Sequence, residues 1–174
     1  NIPNMNNNSH VIHLIEALHD DNCLYEILPY YPQSLHQYMQ KHLHGLDEDQ
    51  ARYYFQQLLI ALDELHSRGI CHRDISTHNV LMDENADNCV LIDFGMCLRT
   101  PYPFPDDHYT EDVTDINVGT NRRLIHSQTH CGKRRFMAME MYQMKDFDGL
   151  AVDLWSAAVV LFILLTGWHP YERP

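Results

Sequence analysis

The sequence has few positively charged residues. Lysine and arginine together number 12, against 24 aspartate and glutamate residues, which gives a formal net charge of −12 at pH 7. A protein that binds nucleic acid needs a basic face to neutralise the phosphates, so this charge balance argues against a nucleic-acid partner.

The sequence also lacks the cysteine pattern of a disulfide framework. Its cysteines are odd in number, scattered and without a C-x-x-C pair: Cys23, Cys71, Cys89, Cys97 and Cys131. This usage predicts reduced thiols in an intracellular, cytoplasmic protein. No signal peptide is visible. The 174 residues, 45% of them apolar, suffice for one domain, and because the chain begins at Asn1 rather than methionine we expect a fragment.

Two carboxylates and one amide occur in an order that suits phosphoryl transfer. This reaction needs a carboxylate that orients the attacking hydroxyl and oxygen ligands that hold Mg²⁺ on the phosphates. Asp74 is followed five residues later by Asn79, and Asp93 comes after a short predicted hairpin. The sequence therefore presents the required groups in the required order.

These residues belong to two motifs, His72-Arg73-Asp74 with Asn79, and Asp93-Phe94-Gly95. Together they resemble the catalytic loop and the metal-binding motif of eukaryotic protein kinases. The resemblance implies an α+β, protein-kinase-like fold that uses ATP and Mg²⁺ and acts on Ser/Thr hydroxyls of a protein substrate. It also implies that Asp74 orients the hydroxyl, while Asn79 and Asp93 hold the metal.

The resemblance also implies a truncated domain. Residues 1–33 correspond to the end of the small lobe and the hinge, and residues 34–174 to an incomplete large lobe with its activation segment at 93–140. Val11–Ile15 and Leu24–Leu28 read as strands around an Asp-Asp-Asn turn; without the motifs they would suggest an ordinary hairpin. A glycine-rich phosphate loop and the strand lysine are absent, so we expect the isolated chain to be inactive.

By the same resemblance, the ATP pocket lies around the hinge. Leu28 corresponds to the gatekeeper, and Pro29 and Tyr31 to the hinge whose backbone holds adenine. Leu81 is expected to form the floor of the adenine pocket. Ser34 stands near the position of an acidic residue that binds ribose in many kinases, for which it is a weaker substitute, and it also reads as a helix cap.

Two helices are predicted in the large lobe. Asp47 and Gln50 suggest the start of a helix that extends to Arg68 and is ended by Gly69. Its apolar stripe consists of Phe55, Leu58, Leu59, Leu62 and Leu65.

The second predicted helix contains a charge-free run of 15 residues, Leu154–Trp168. A transmembrane segment is the alternative, but the run is shorter than the ~20 residues that a bilayer requires. A buried helix and no membrane partner are therefore expected. The resemblance implies that Asp153, at its head, fastens the backbone of the catalytic loop.

Further roles follow from the resemblance. His72 and Phe94 are expected to stack with Leu14 in an internal hydrophobic spine. Arg73 implies activation by an upstream kinase that phosphorylates the activation segment, with Thr129 as the expected site and Ser127 and Thr120 as alternatives. Glu140 ends an Ala-Met-Glu sequence where the family usually has Ala-Pro-Glu, and its family partner is an arginine that would lie beyond Pro174.

Two departures from the family pattern occur together. Ser76 stands where Ser/Thr kinases place a lysine, and Lys133 stands where they place a threonine. Both family residues reach the catalytic aspartate, so we expect an exchange of roles. Lys133 would reach Asp74 and the γ-phosphate, and Ser76 would tie the substrate loop to the catalytic loop. The alternative is that Lys133 simply extends the basic run with Arg134 and Arg135.

Two other functional classes share features with this sequence. A kinase-like scaffold without catalysis is favoured by Ser76 and by the incomplete small lobe. Small-molecule kinases of the aminoglycoside or choline group share an acidic catalytic loop, but they lack the second motif combined with Ala-x-Glu. Ser76, the segment Met96–Arg99 and the segment Gly119–Leu124 further resemble the kinases of stramenopile algae.

Overall fold

A computed structural model describes residues 9–100, 113–114, 124–126 and 129–171. Short strands alternate with helices, and the two longest helices, α2 and α4, pack on each other. The elements are β1 (Glu16–His19), β2 (Leu24–Ile27), β3 (Gln33–Ser34), α1 (Leu35–Met39), α2 (Glu48–His66), β4 (Ile70–Cys71), β5 (Val80–Met82), β6 (Cys89–Leu91), β7 (Leu98–Arg99), β8 (Val113–Thr114), β9 (Leu124–Ile125), α3 (Met139–Tyr142) and α4 (Gly149–Thr166).

Helix α2 begins where the sequence predicts. The Asp47 side chain caps it by accepting a hydrogen bond from the Gln50 N–H, and two acidic residues in its first turn suit the positive end of the helix dipole. Leu58, Leu62 and Leu65 are buried as expected. The prediction for Leu59 is wrong, because its side chain is exposed. The buried face of the helix includes Ala51, Tyr54 and Ala61 instead.

Helix α4 is a core helix with a defined cap at each end. The Asp148 side chain accepts hydrogen bonds from two N–H groups of the first turn, and Gly167 ends the helix in the left-handed conformation at φ 76°. By length and composition alone α4 could cross a membrane, but half of it is buried within the fold. Asp153 is fully buried in its second turn.

A three-stranded antiparallel sheet, in the order β3-β5-β6, positions the residues that flank it. Ser34 pairs with Leu81, and Leu81 pairs with Val90. The Ile92 N–H donates to the Asn79 carbonyl at 2.9 Å just beyond the paired strands. Asn79, before β5, and Asp93, after β6, are therefore held at the same end of the hairpin.

The N-terminal hairpin differs from the prediction. The first strand is β1, not Val11–Ile15, and it pairs antiparallel with β2. Val11 and Ile12 lie against the edge of β6 instead. Val11 forms a parallel bridge with Leu91, and the Ile12 N–H donates to the Leu91 carbonyl at 2.9 Å. Docking on an existing strand buries part of Val11, whereas β1 and β2 remain exposed.

All five cysteines lie in the described residues, and each is a free thiol. Burial raises the pKa of Cys71 and of Cys89 to about 12. These thiols are therefore neutral at physiological pH and pack as small apolar side chains.

Candidate active site

The loop of residues 72–79 connects β4 to β5, and one buried carboxylate fixes its beginning. Asp153 accepts hydrogen bonds from the His72 N–H at 2.7 Å and from the Arg73 N–H at 2.8 Å. His66, at the end of α2, places its Nε2 3.0 Å from the same carboxylate. The two longest helices therefore converge on the backbone of this loop.

The imidazole of His72 connects the two motifs by hydrogen bonds. Its Nε2 lies 3.0 Å from the Ile92 carbonyl, and its Nδ1 lies 3.3 Å from the Asp74 N–H. An amide N–H can only donate and a carbonyl can only accept, so these contacts require the neutral ring with the proton on Nε2. Burial lowers the pKa of His72 and favours the same state.

The expected spine is only partly present. The rings of His72 and Phe94 make an edge-on contact, with centroids 5.3 Å apart. Leu14 was predicted to join them, but its side chain is 51% exposed and lies outside the core. Residues 13–28, which include Leu14 and the hairpin of β1 and β2, are all exposed, so this part of the prediction is wrong.

Asp74, Asn79 and Lys133 form one hydrogen-bonded cluster. Asn79 Nδ2 donates to the carbonyl and to Oδ2 of Asp74, both at 2.8 Å. Lys133 Nζ donates to Asp74 Oδ2 at 2.8 Å and to Asn79 Oδ1 at 3.1 Å. The predicted contact between Lys133 and Asp74 is therefore present, although the two residues come from distant parts of the chain.

The other half of the predicted exchange is wrong. Ser76 is buried, and its Oγ has no hydrogen-bond partner among the residues that the structure describes. The tie between the two loops is made instead by the main chain, since the Lys133 N–H donates to Asp74 Oδ1 at 3.0 Å. Lys133 thus supplies both the cation and the tie, which leaves no tying role for the serine hydroxyl.

Gly132 makes this close approach possible, and the sequence analysis missed it. Its φ of +85° is a conformation that glycine adopts without strain, and a Cβ at this position would lie 2.4 Å from the Arg73 carbonyl oxygen. Any other residue would force the two loops apart. The glycine immediately before Lys133 was the available signal, because such a residue often marks a close backbone contact.

Asp93 lies at the end of the hairpin with its carboxylate exposed. Its backbone is left-handed, at φ 68°, and the Gly95 N–H lies 3.4 Å from Asp93 Oδ1. Mg²⁺ is typically bound by one or two carboxylates together with phosphate oxygens, so Asp93 and the Asn79 amide oxygen form a suitable donor set. These two residues would hold the ion.

The expected nucleotide-binding residues are only partly brought together. Ser34 and Leu81 are strand partners, and Leu81 is half-buried. The Ser34 Oγ accepts the Gln37 N–H at 3.2 Å in a capping box, so its hydroxyl is already used in the helix cap. Leu28 follows β2 and is 43% exposed. Pro29 and Tyr31 are half-buried, and burial raises the pKa of Tyr31.

A pair of histidines beside the loop was also missed. The rings of His36 and His78 stack with centroids 3.8 Å apart, and the His36 N–H donates to the Thr77 carbonyl at 2.8 Å. Burial, followed by His36 and Lys133, lowers the pKa of His78. No sequence spacing signals this contact, because α1 and the catalytic loop are far apart along the chain.

The expected regulatory residues lie around the cluster. Arg73 has a left-handed backbone, at φ 64°, and its Nε donates to the Met96 carbonyl at 2.6 Å. Thr129 is exposed, with its Oγ1 3.6 Å from Cys131 Sγ. Glu140 lies half-buried in α3. Ser127 and Thr120 fall outside the described residues.

Comparisons with known proteins agree with these motifs. The profile of the protein kinase domain matches residues 1–174. The chain is 35% identical to CBL-interacting protein kinase 3 of Oryza sativa subsp. japonica, over 93% of this chain and 32% of the relative. It is 39% identical to CBL-interacting serine/threonine-protein kinase 5 of Arabidopsis thaliana, over 73% of this chain and 24% of the relative. The chain thus spans a third or less of the length of these relatives.

Replacement of Asp153 should destabilise the protein strongly. Asp153→Ala leaves two backbone N–H groups of the loop without their acceptor, and each unsatisfied buried donor costs roughly 1–3 kcal/mol. We expect a loss of roughly 2–6 kcal/mol in the free energy of unfolding, measured by chemical denaturation. Asp63→Ala, on the exposed face of α2, is the matched control. Equal stability of the two variants would contradict the anchoring role.

Acidification should destabilise the folded chain through His72. The pKa of His72 is lowered in the folded state, so below the unfolded-state pKa of about 6.5 the unfolded chain binds the extra proton more readily. The stabilising effect of the neutral ring is therefore present above that pH and is lost as the pH falls. His72→Gln should flatten the decline in melting temperature between pH 7 and pH 5, whereas His44→Gln, at an exposed position, should not.

Proposed function

The chain belongs to the protein kinase family, and on that premise we propose that it forms the catalytic centre of an ATP-dependent kinase. The proposed reaction transfers the γ-phosphate to a serine or threonine hydroxyl of a protein substrate. The observation that carries this proposal is the cluster of Asp74, Asn79 and Lys133 on the loop that Asp153 anchors. The relatives named above include a serine/threonine kinase, which supports the choice of acceptor.

Asp74 orients the acceptor hydroxyl. A carboxylate has about four lone-pair sites. In Asp74, Oδ2 already accepts from Asn79 Nδ2 and Lys133 Nζ, whereas within the described part of the chain Oδ1 accepts only the Lys133 N–H. The remaining acceptor site is therefore on Oδ1, beside the Lys133 backbone, and the hydroxyl of the substrate would donate there. Asp74 is buried, which limits competition from water.

Asn79 Oδ1 and the Asp93 carboxylate would hold Mg²⁺. When bound, the ion would supply positive charge against the charge that develops on the transferred phosphate. The Asn79 amide is oriented for this task because its Nδ2 is committed to the two Asp74 oxygens. The adenine would lie between Leu81 and the hinge at Leu28, Pro29 and Tyr31.

Lys133 supplies the positive charge that the family usually places on the catalytic loop. Its flexible stem carries a compact ammonium to Asp74 Oδ2, from which it can reach a transferred phosphate. Its backbone N–H holds the substrate loop on the catalytic loop at the same time. The position thus combines two roles that the family divides between two residues.

Regulation by an upstream kinase is a further part of the proposal. Arg73 Nε donates to the Met96 carbonyl, and Thr129 is exposed on the segment that leads to Lys133. A phosphate on Thr129 would offer the guanidinium an anionic partner and order the segment.

Activity of the intact protein tests the central proposal. Asp74→Asn should lower kcat for a protein substrate by about 10²–10⁴-fold, the range for loss of an acid–base group. Lys133→Met should lower kcat at least about tenfold because the charge is lost. Lys145→Met, a control at an exposed lysine, should leave it unchanged. Nucleotide binding without any transfer by the unmodified protein would indicate a binding module instead.

Mass spectrometry and kinetics together test the regulatory site. If Thr129 is the activating residue, Thr129→Ala should abolish activation by phosphorylation, and the activated protein should carry phosphate on Thr129. Thr120→Ala should leave activation intact. If activation is lost in Thr120→Ala and kept in Thr129→Ala, the activating residue is Thr120.

A further inference from the structure

The geometry points to a second role for Lys133: its ammonium competes with Mg²⁺ for the amide oxygen of Asn79. This inference rests on the proposed function, in which Asn79 is a metal ligand. It adds that Lys133 sets the Mg²⁺ concentration at which the site binds its nucleotide. The observation behind it is the 3.1 Å hydrogen bond from Lys133 Nζ to Asn79 Oδ1.

Asn79 has only one oxygen to offer, and its orientation is fixed. Nδ2 donates to the carbonyl and to Oδ2 of Asp74, both at 2.8 Å. Turning the amide over would place an acceptor against two acceptors and lose both hydrogen bonds. Asn79 is 5% exposed, so water does not replace those partners easily. The ammonium therefore uses the same atom that a metal ion would use.

The two cations cannot bind this oxygen together at low cost. Mg²⁺ needs its ligands at about 2.0–2.1 Å in octahedral geometry. An ammonium that is 3.1 Å from the same oxygen would then lie roughly 4 Å from the ion, where like charges repel strongly in a partly buried site. Binding of the metal on Asn79 requires Lys133 Nζ to leave.

Lys133 can release the oxygen without moving its backbone. Its side chain is 37% exposed and ends a flexible stem, so the ammonium can swing toward solvent or toward a phosphate. The backbone stays in place, because the Lys133 N–H remains on Asp74 Oδ1 and the preceding Gly132 packs against the Arg73 carbonyl. The exchange of cations is thus a side-chain movement on a fixed loop.

Thermal stabilisation by Mg²⁺ and ADP measures this competition without any turnover. The intact protein is mixed with a fixed ADP concentration, and its melting temperature is followed as MgCl₂ is added, with an ADP sample in chelator as the baseline. We expect Lys133→Met to reach half of its Mg²⁺-dependent stabilisation at a roughly tenfold lower Mg²⁺ concentration than the unmodified protein. Lys133→Gln is a second neutral variant in case the first does not fold.

Two further variants separate charge from general perturbation. Lys133→Arg keeps the positive charge, so its Mg²⁺ midpoint should stay closer to that of the unmodified protein. Lys145→Met removes an exposed lysine elsewhere and should leave the midpoint unchanged.

The outcomes separate this inference from the proposed function. Equal Mg²⁺ midpoints in the unmodified protein and in the neutral variants overturn the competition but leave kinase activity untouched. A shift to lower Mg²⁺ in the neutral variants supports the competition even if the unmodified protein transfers no phosphate. Absence of any Mg²⁺-dependent stabilisation in all variants overturns both the competition and the assignment of Asn79 as a ligand.

Discussion

The buried carboxylate of Asp153 is the interaction on which the site depends. It holds two successive N–H groups of the catalytic loop and contacts His66, so it connects α4, α2 and the loop at one point. His72, placed by this contact, then reaches the Ile92 carbonyl next to the metal motif and the Asp74 N–H. A single charged group in the core thereby sets the relative positions of both motifs.

Motif order and residue chemistry predicted which of these residues come together, whereas their roles stay predictions. Asn79 and Asp93 flank the paired strands β5 and β6, and Asn79 contacts Asp74. The contact of Lys133 with Asp74 was also predictable. Ser76 replaces a family lysine and Lys133 replaces a family threonine, and in the family both positions reach the aspartate that corresponds to Asp74. Helix α2 was recognisable because its cap and its apolar spacing agree.

The failures have a common physical cause, which is that main-chain and packing contacts leave little trace in residue identity. Ser76 was assigned a tie that the Lys133 N–H makes instead, and every residue except proline has such a donor. Leu14 and the start of the first strand were misplaced because apolar β-branched runs do not reveal which edge they pair with. The stacking of His36 on His78 depends on tertiary approach alone.

The close approach at Gly132 determines which changes the junction of the two loops can accept. The obstacle to a side chain there is the Arg73 carbonyl oxygen, and a carbonyl oxygen is present whichever residue occupies position 73. A replacement at position 73 therefore cannot make room for a Cβ at position 132. A mutant library that varies this junction has to keep Gly132 and vary its neighbours.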